Sequence, residues 1–182
     1  MDKQELIRIV NELNDKIEKL VEPNIQKIIE CYMADEKNYE PMTAKTDVKG
    51  SVGFYMIFSD NTTFTNTGCT IKYNNKSFYC VYRGHSYHIK ERLLSHLFYG
   101  ENSKYPNCMK IEFKKKKYNI NIEEKTLYED GKPINKEPFN EEIFNHQWIV
   151  IRIALENSKQ AIREMFETAF DNKYGKPVFS VK

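Results

Sequence analysis

The stretch that most restricts the fold of this chain is residues 109–122, M-K-I-E-F-K-K-K-K-Y-N-I-N-I. Met109, Ile111 and Phe113 alternate with polar residues, and so do Tyr118, Ile120 and Ile122. The two runs have opposite parity, so one straight strand would carry them on opposite faces. A hairpin turning at Lys115 and Lys116 pairs Phe113 with Tyr118, Ile111 with Ile120 and Met109 with Ile122, all on one face. The sequence therefore predicts an antiparallel hairpin with one buried face and a basic tip of Lys114, Lys115, Lys116 and Lys117. Its apolar face is expected to complete a sheet that helices cover.

The flanking chain supplies those helices. Leu6, Val10, Leu13, Ile17 and Leu20 recur at 4-3-4-3 spacing within residues 2–21, which predicts an amphipathic helix. Pro23 implies either a kink or a second helix starting near Glu22, carrying Ile25, Ile28, Ile29, Tyr32 and Met33. The stripe is expected to pack on the chain's own sheet; the alternative is a coiled-coil or partner-binding face. Residues 34–50 read as a loop. V-G-F-Y-M-I-F from Val52 reads as a strand, and Asn74 with Asn75 as a tight turn between two more. Ile89, Leu93, Leu94, Leu97 and Phe98 share a helical face, with Ser86 before them and Gly100 after, predicting a helix over about 87–99. Asp130 and Gly131 mark another hairpin turn.

From Asn140 to residue 171 a heptad-like series runs through Phe144, Trp148, Ile151, Leu155, Ile162, Met165 and Ala169, so a long helix is expected. The β-branched run W-I-V-I-R-I-A-L inside it is the rival, as a strand. The resulting expectation is a single α+β domain over residues 1–182. Residues 1–34 form its N-terminal helical segment, residues 51–134 are mainly antiparallel strands with the 87–99 helix, and 140–171 is the C-terminal helix. Its antiparallel sheet has about five to six strands, with amphipathic N-terminal and C-terminal helices packed on it.

Composition narrows the function classes. With 40% hydrophobic and 30% charged residues the chain has a globular balance. A net charge of +2 excludes a strongly acidic nucleic-acid mimic and falls short of a dedicated nucleic-acid binder, so electrostatic function must come from local patches. Cys31, Cys69, Cys80 and Cys108 form no C-x-x-C pair, which argues against a zinc ribbon or thioredoxin-type site. Neither a signal-peptide run nor an apolar stretch approaching the ~18 residues of a membrane span occurs, so a cytoplasmic protein with reduced thiols is expected.

Catalytic patterns are weak. His85, His88 and His96 fall within twelve residues, but no recognised metal-ligand spacing completes them, and no metal or cofactor is expected. Cys80 near His85 would suit a nucleophile and base, although its place in a strand favours an inert, buried thiol. No phosphate-binding glycine motif or nucleophile elbow is present. The chain is therefore expected not to be an enzyme. The candidate binding residues are cationic: Lys110, Lys114, Lys115, Lys116 and Lys117 on the hairpin, and Arg83, Lys90 and Arg92 in a second cluster near His85 and His88. Such lysines suit phosphate contacts, whose hallmark is salt-dependent affinity. They equally suit an acidic protein surface or an edge protected by charge.

In overall profile, the chain resembles phage and mobile-element inhibitors of the anti-CRISPR type. It shares with them small size, an Asn-, Lys-, Ile- and Tyr-rich low-GC composition, an α+β pattern and no catalytic motif. The resemblance implies a non-enzymatic inhibitor acting by protein–protein contact in the host cytosol. Its partner would be a CRISPR effector nuclease with its guide RNA, blocked in binding or cleaving target DNA. The alternative is a nucleic-acid-binding module, gripping DNA or RNA with the Lys114 to Lys117 tip.

Overall fold

The fold is seen in a computed structural model that describes residues 2–43, 51–100, 103–105, 108–113, 115–134 and 143–180. Helix α1 (Lys3–Ala34) starts at Asp2, whose carboxylate accepts a hydrogen bond from the Glu5 N–H at 2.8 Å. It continues through Pro23 rather than restarting there, although the proline has no N–H for the carbonyl four residues back. Strands β1 (Glu40–Pro41), β2 (Gly53–Ser59), β3 (Thr70–Tyr73) and β4 (Lys76–Ser86) follow, then helix α2 (Ile89–Leu97). Next come β5 (Ile111–Phe113), β6 (Lys116–Asn121), β7 (Thr126–Glu129), β8 (Lys132–Ile134) and β9 (Trp148–Ala154), and last helix α3 (Gln160–Tyr174).

The α+β class holds, but the strands form two antiparallel sheets rather than one: β1-β9-β2-β4-β3 and β5-β6-β7-β8. Every residue of β2 is buried, so the first sheet is covered on both faces. Phe54, Met56 and Phe58 face one core with Ile25 and Ile29 of α1 and Phe166 and Phe170 of α3. Tyr55 and Ile57 face the other, with Leu93 and Leu97 of α2 and Ile111 and Ile120 of the second sheet. The result is three layers: helices, central sheet, then α2 with the smaller sheet. A bulge lies opposite the Ile57/Phe58 step, and both Val81 and Tyr82 reach the second core there.

The turns formed as their residues dictate. Asn74 and Asn75 take φ of 49° and 61°, and Asp130 and Gly131 take 49° and 81°, the left-handed pairs that two-residue hairpins require. In the basic hairpin the left-handed residue is Lys115, at φ 66°. Ile111 therefore pairs with Tyr118, and Phe113 with Lys116. Each partner is displaced by two residues from the expected register, an even shift that preserves the faces. Ile111 and Ile120 are accordingly fully buried.

Three expectations need correction. The helix predicted over 140–171 is strand β9 followed by α3; its described part starts at Ile143, so its predicted start lies outside the described residues. Trp148, Ile149, Val150 and Ile151 are all buried, because β9 lies between β1 and β2 with apolar layers on both sides. A strand buried on both faces shows a continuous apolar run, and the heptad spacing across it was coincidental. The 87–99 helix is confined to Ile89–Leu97, because β4 extends to Ser86, where it pairs with Gly53. Ser86 still accepts the His88 N–H, at 2.9 Å, but is not the helix cap. Finally, Leu6, Val10 and Leu13 of the N-terminal stripe do not pack on the sheet, and the side chains of Ile17 and Leu20 lie outside those described. Leu6, Ile7, Val10 and Leu13 are 45%, 51%, 52% and 53% exposed. The α1 residues that do pack are Val21, Ile25, Ile29, Tyr32 and Met33, which lie about a third of a turn around the helix from the stripe.

Candidate functional site

Strand β3 pairs only with Lys76, Ser77, Phe78 and Tyr79, so β4 runs on past its neighbour. The C-terminal segment occupies part of the edge left open: the Phe179 N–H donates to the Val81 carbonyl at 3.0 Å, and the Arg83 N–H to Ser180 Oγ at 3.0 Å. Beyond it a cleft of about 820 Å³ opens. Its floor is Tyr82 to His85 of β4, one wall is Glu164 and Glu167 of α3, and the other is Arg92 of α2 with Lys110, Glu112 and Lys117 of the basic hairpin. Gly84 leaves the floor low; a Cβ there would lie 2.9 Å from a Tyr82 ring carbon and 3.0 Å from the Tyr55 hydroxyl.

Four of the eight predicted cations thus meet in one cleft, but they are not equivalent. Arg83 is 7% exposed and is already paired. Its Nε and one terminal nitrogen grip both oxygens of Asp171, at 2.9 and 2.5 Å, and the other donates to Glu167 at 2.7 Å. That bidentate fork ties β4 to α3, so the Arg83 guanidinium is engaged with carboxylates while the residue lines the cleft. Burial disfavours its charge, yet Asp171 and Glu167 outweigh that and raise its pKa. Burial likewise raises the Glu167 carboxyl, against the pull of Arg83.

Arg92 is held differently. Its guanidinium lies 4.8 Å from the centre of the Tyr105 ring and hydrogen bonds to the hydroxyls of Tyr55 and Tyr82. Behind it lies a buried polar chain. The Met109 N–H donates to His96 Nδ1 at 2.7 Å, so the ring proton sits on Nε2, which donates to the Tyr55 hydroxyl at 2.8 Å. Burial, with help from Arg92, pushes the His96 pKa well below its ordinary value and keeps the ring neutral. Burial also pushes the Tyr55 phenol well up.

Of the remaining candidates, Lys110 and Lys117 stand exposed on the cleft rim. Lys115 is exposed at the turn. Lys116 pairs with Glu129 at 2.9 Å, Lys90 is not among the cleft-lining residues, and Lys114 lies outside the described residues. The three histidines do not converge: His96 is engaged at both nitrogens, His88 is exposed beside Glu91 at 3.9 Å, and His85 lines the cleft. Among the described residues no group of three or more His, Cys, Asp or Glu is placed to hold a metal. The Cys80 thiol is fully buried with its pKa driven well up by that burial, so it is no ready nucleophile.

Sequence reasoning missed the Arg83–Asp171–Glu167 tie and the His96–Tyr55 chain. The first joins residues 88 positions apart and leaves no local signal. The second had one: His96 falls between Leu93 and Leu97 on an apolar helix face, where a histidine must find buried partners. No helix among the described residues is long and apolar enough to cross a membrane. Comparison with known proteins found no family model, no curated protein and no solved structure that matches the chain.

Proposed function

We propose that this chain is a non-enzymatic binding protein that acts by protein–protein contact, with the cleft beside β4 as its partner-facing surface. The observation that carries this reading is the mixed charge of the cleft lining: Lys110 and Lys117 share it with Glu112, Glu164 and Glu167. A phosphate backbone favours one sign of charge along its track, whereas a polar protein segment presents both. The pairing of Arg83 and Lys116 with carboxylates supports the same choice. The anti-CRISPR resemblance supplies the partner class, a CRISPR effector nuclease with guide RNA in the host cytosol. The test is inhibition of target-DNA cleavage by a panel of purified guide-loaded effectors. At least one is expected to be inhibited, and Lys110→Glu with Lys117→Glu is expected to weaken that inhibition at least tenfold. Inhibition of none, or undiminished inhibition by the double variant, defeats the reading.

The second reading, a nucleic-acid module, rests on the exposed Lys115 and Lys117 near the hairpin tip. It predicts that replacing Lys114, Lys115, Lys116 and Lys117 by Ser lowers affinity for DNA or RNA and flattens its salt dependence. Equal affinity and slope for both proteins removes it.

A further inference from the structure

Four apolar residues in the N-terminal half of α1, Leu6, Ile7, Val10 and Leu13, are exposed. Leu6, Val10 and Leu13 are about half exposed, on a helix whose packed face, at Ile25 and Ile29, lies about a third of a turn away. No straight continuation of the helix brings both faces onto the same body. A row of exposed apolar side chains along one helix face is the kind of surface that marks an interaction site.

The residues in the stripe specify what covers it. In heptad terms Leu6, Leu13 and Leu20 occupy d positions, and Val10 and Ile17 occupy a positions. β-Branched residues at a with leucine at d are the combination that favours a parallel two-stranded coiled coil. The charged residues support it. Glu5, Arg8, Glu12, Asp15, Glu18, Lys19 and Glu22 all fall at the outer b, c and f positions, where Arg8 and Glu12 pair along the same helix at 2.9 Å. The e and g positions over residues 7–21 are Ile7, Ile9, Asn14, Lys16 and Val21. A parallel, in-register pair sets Lys16 against Val21 and Ile9 against Asn14, so no like charges meet across the seam. Beyond Pro23 the next a and d positions are Asn24 and Lys27, so the apolar seam ends at Leu20, a span of about 21 Å from Leu6.

We infer that residues 6–20 form a parallel coiled coil with the same segment of a second copy of this chain, making the protein a two-fold dimer. The body attaches about a third of a turn from the seam, so the two-fold axis places the two bodies on opposite sides of it. The dimer presents two copies of the cleft, and its formation does not depend on what the cleft binds.

The test is sedimentation of the full chain over a concentration series. The mass is expected to climb from 21.6 kDa toward twice that value. This is expected by protein concentrations of the order of 100 µM, because the association follows mass action. Val10→Lys with Leu13→Lys is expected to hold the protein at one copy. Its thermal transition is expected to be unaltered at low concentration, because both residues are exposed. A wild type that stays at one copy throughout, or a double variant that still dimerises, overturns the inference. Orientation is read by disulfide trapping in a Cys31→Ser background, since Cys31 is an exposed free thiol. Leu6→Cys alone is expected to cross-link to itself. Cross-linking only when Leu6→Cys is mixed with Leu20→Cys would mean an antiparallel pair and overturn the parallel arrangement.

Discussion

The two faces of the central sheet are built on different principles. Toward α1 and α3 the core cluster is hydrocarbon, aromatic rings and the thiols of Cys69 and Cys80, while the charged Arg83 and Arg163 are buried and held by Asp171 and Glu167 of α3 and by Ser158 just before it. Toward α2 and the smaller sheet, Tyr55, Tyr82, His96, Arg92 and Asn119 form hydrogen bonds within the packed layer. A hydrocarbon face depends on volume and is indifferent to protonation. A hydrogen-bonded face depends on each partner being present and correctly protonated. The cleft opens beside the second kind, where fixed polar groups hold Arg92 at the rim.

That contrast breaks if the two faces respond alike. The largest effect is expected from Phe54→Ala on the hydrocarbon face, about 3–5 kcal/mol of lost stability. Denaturant unfolding should give the same loss between pH 5 and 8. On the opposite face Tyr55→Phe keeps the ring but strips His96 of its acceptor and Arg92 of one oxygen. About 1–3 kcal/mol is expected, and a loss below 0.5 kcal/mol would mean that the chain of hydrogen bonds contributes nothing.

The pH response sharpens the comparison further. The native state holds His96 neutral well below its usual 6.5, whereas the unfolded chain takes up the proton there. Stability should therefore be complete above that pH and fall on acidification, by up to about 1.4 kcal/mol per pH unit from this group. The slope should shrink in His96→Gln, leaving the smaller part from His85, whose pKa is lowered by its burial and by Arg163. An equal slope in both proteins would place the response elsewhere. The smallest effect is expected at Leu13, which serves neither face: Leu13→Ala should change the stability of the dilute protein by less than about 0.5 kcal/mol.

What the sequence made legible follows the same division between local and distant causes. The turns at Asn74 and Asp130 and the faces of the 109–122 hairpin were readable, because a two-residue turn and a period of two are properties of neighbouring residues. Strand β9 was misread, because burial on both faces erases the alternation that marks a strand, and only its β-branched composition remained as a signal. Four of the cleft's cations were picked out, but not that Arg83 would be bound to Asp171. That depends on α3 crossing β4, a contact set by the whole fold. The N-terminal stripe was recognised as apolar, yet its exposure depends on which side of α1 meets the sheet.

The position of β9 has a consequence for how the chain is made. Residues 148–154 fill the slot between β1 and β2, and β2 pairs with them along its whole length, about a hundred residues after it leaves the ribosome. Until then β2 has β4 on one side and an open apolar edge on the other, the kind of surface that recruits strands from other chains. The central sheet closes only once residues 148–154 have been made. Folding is governed by that late, long-range pairing and is expected to be slow for a protein of this size.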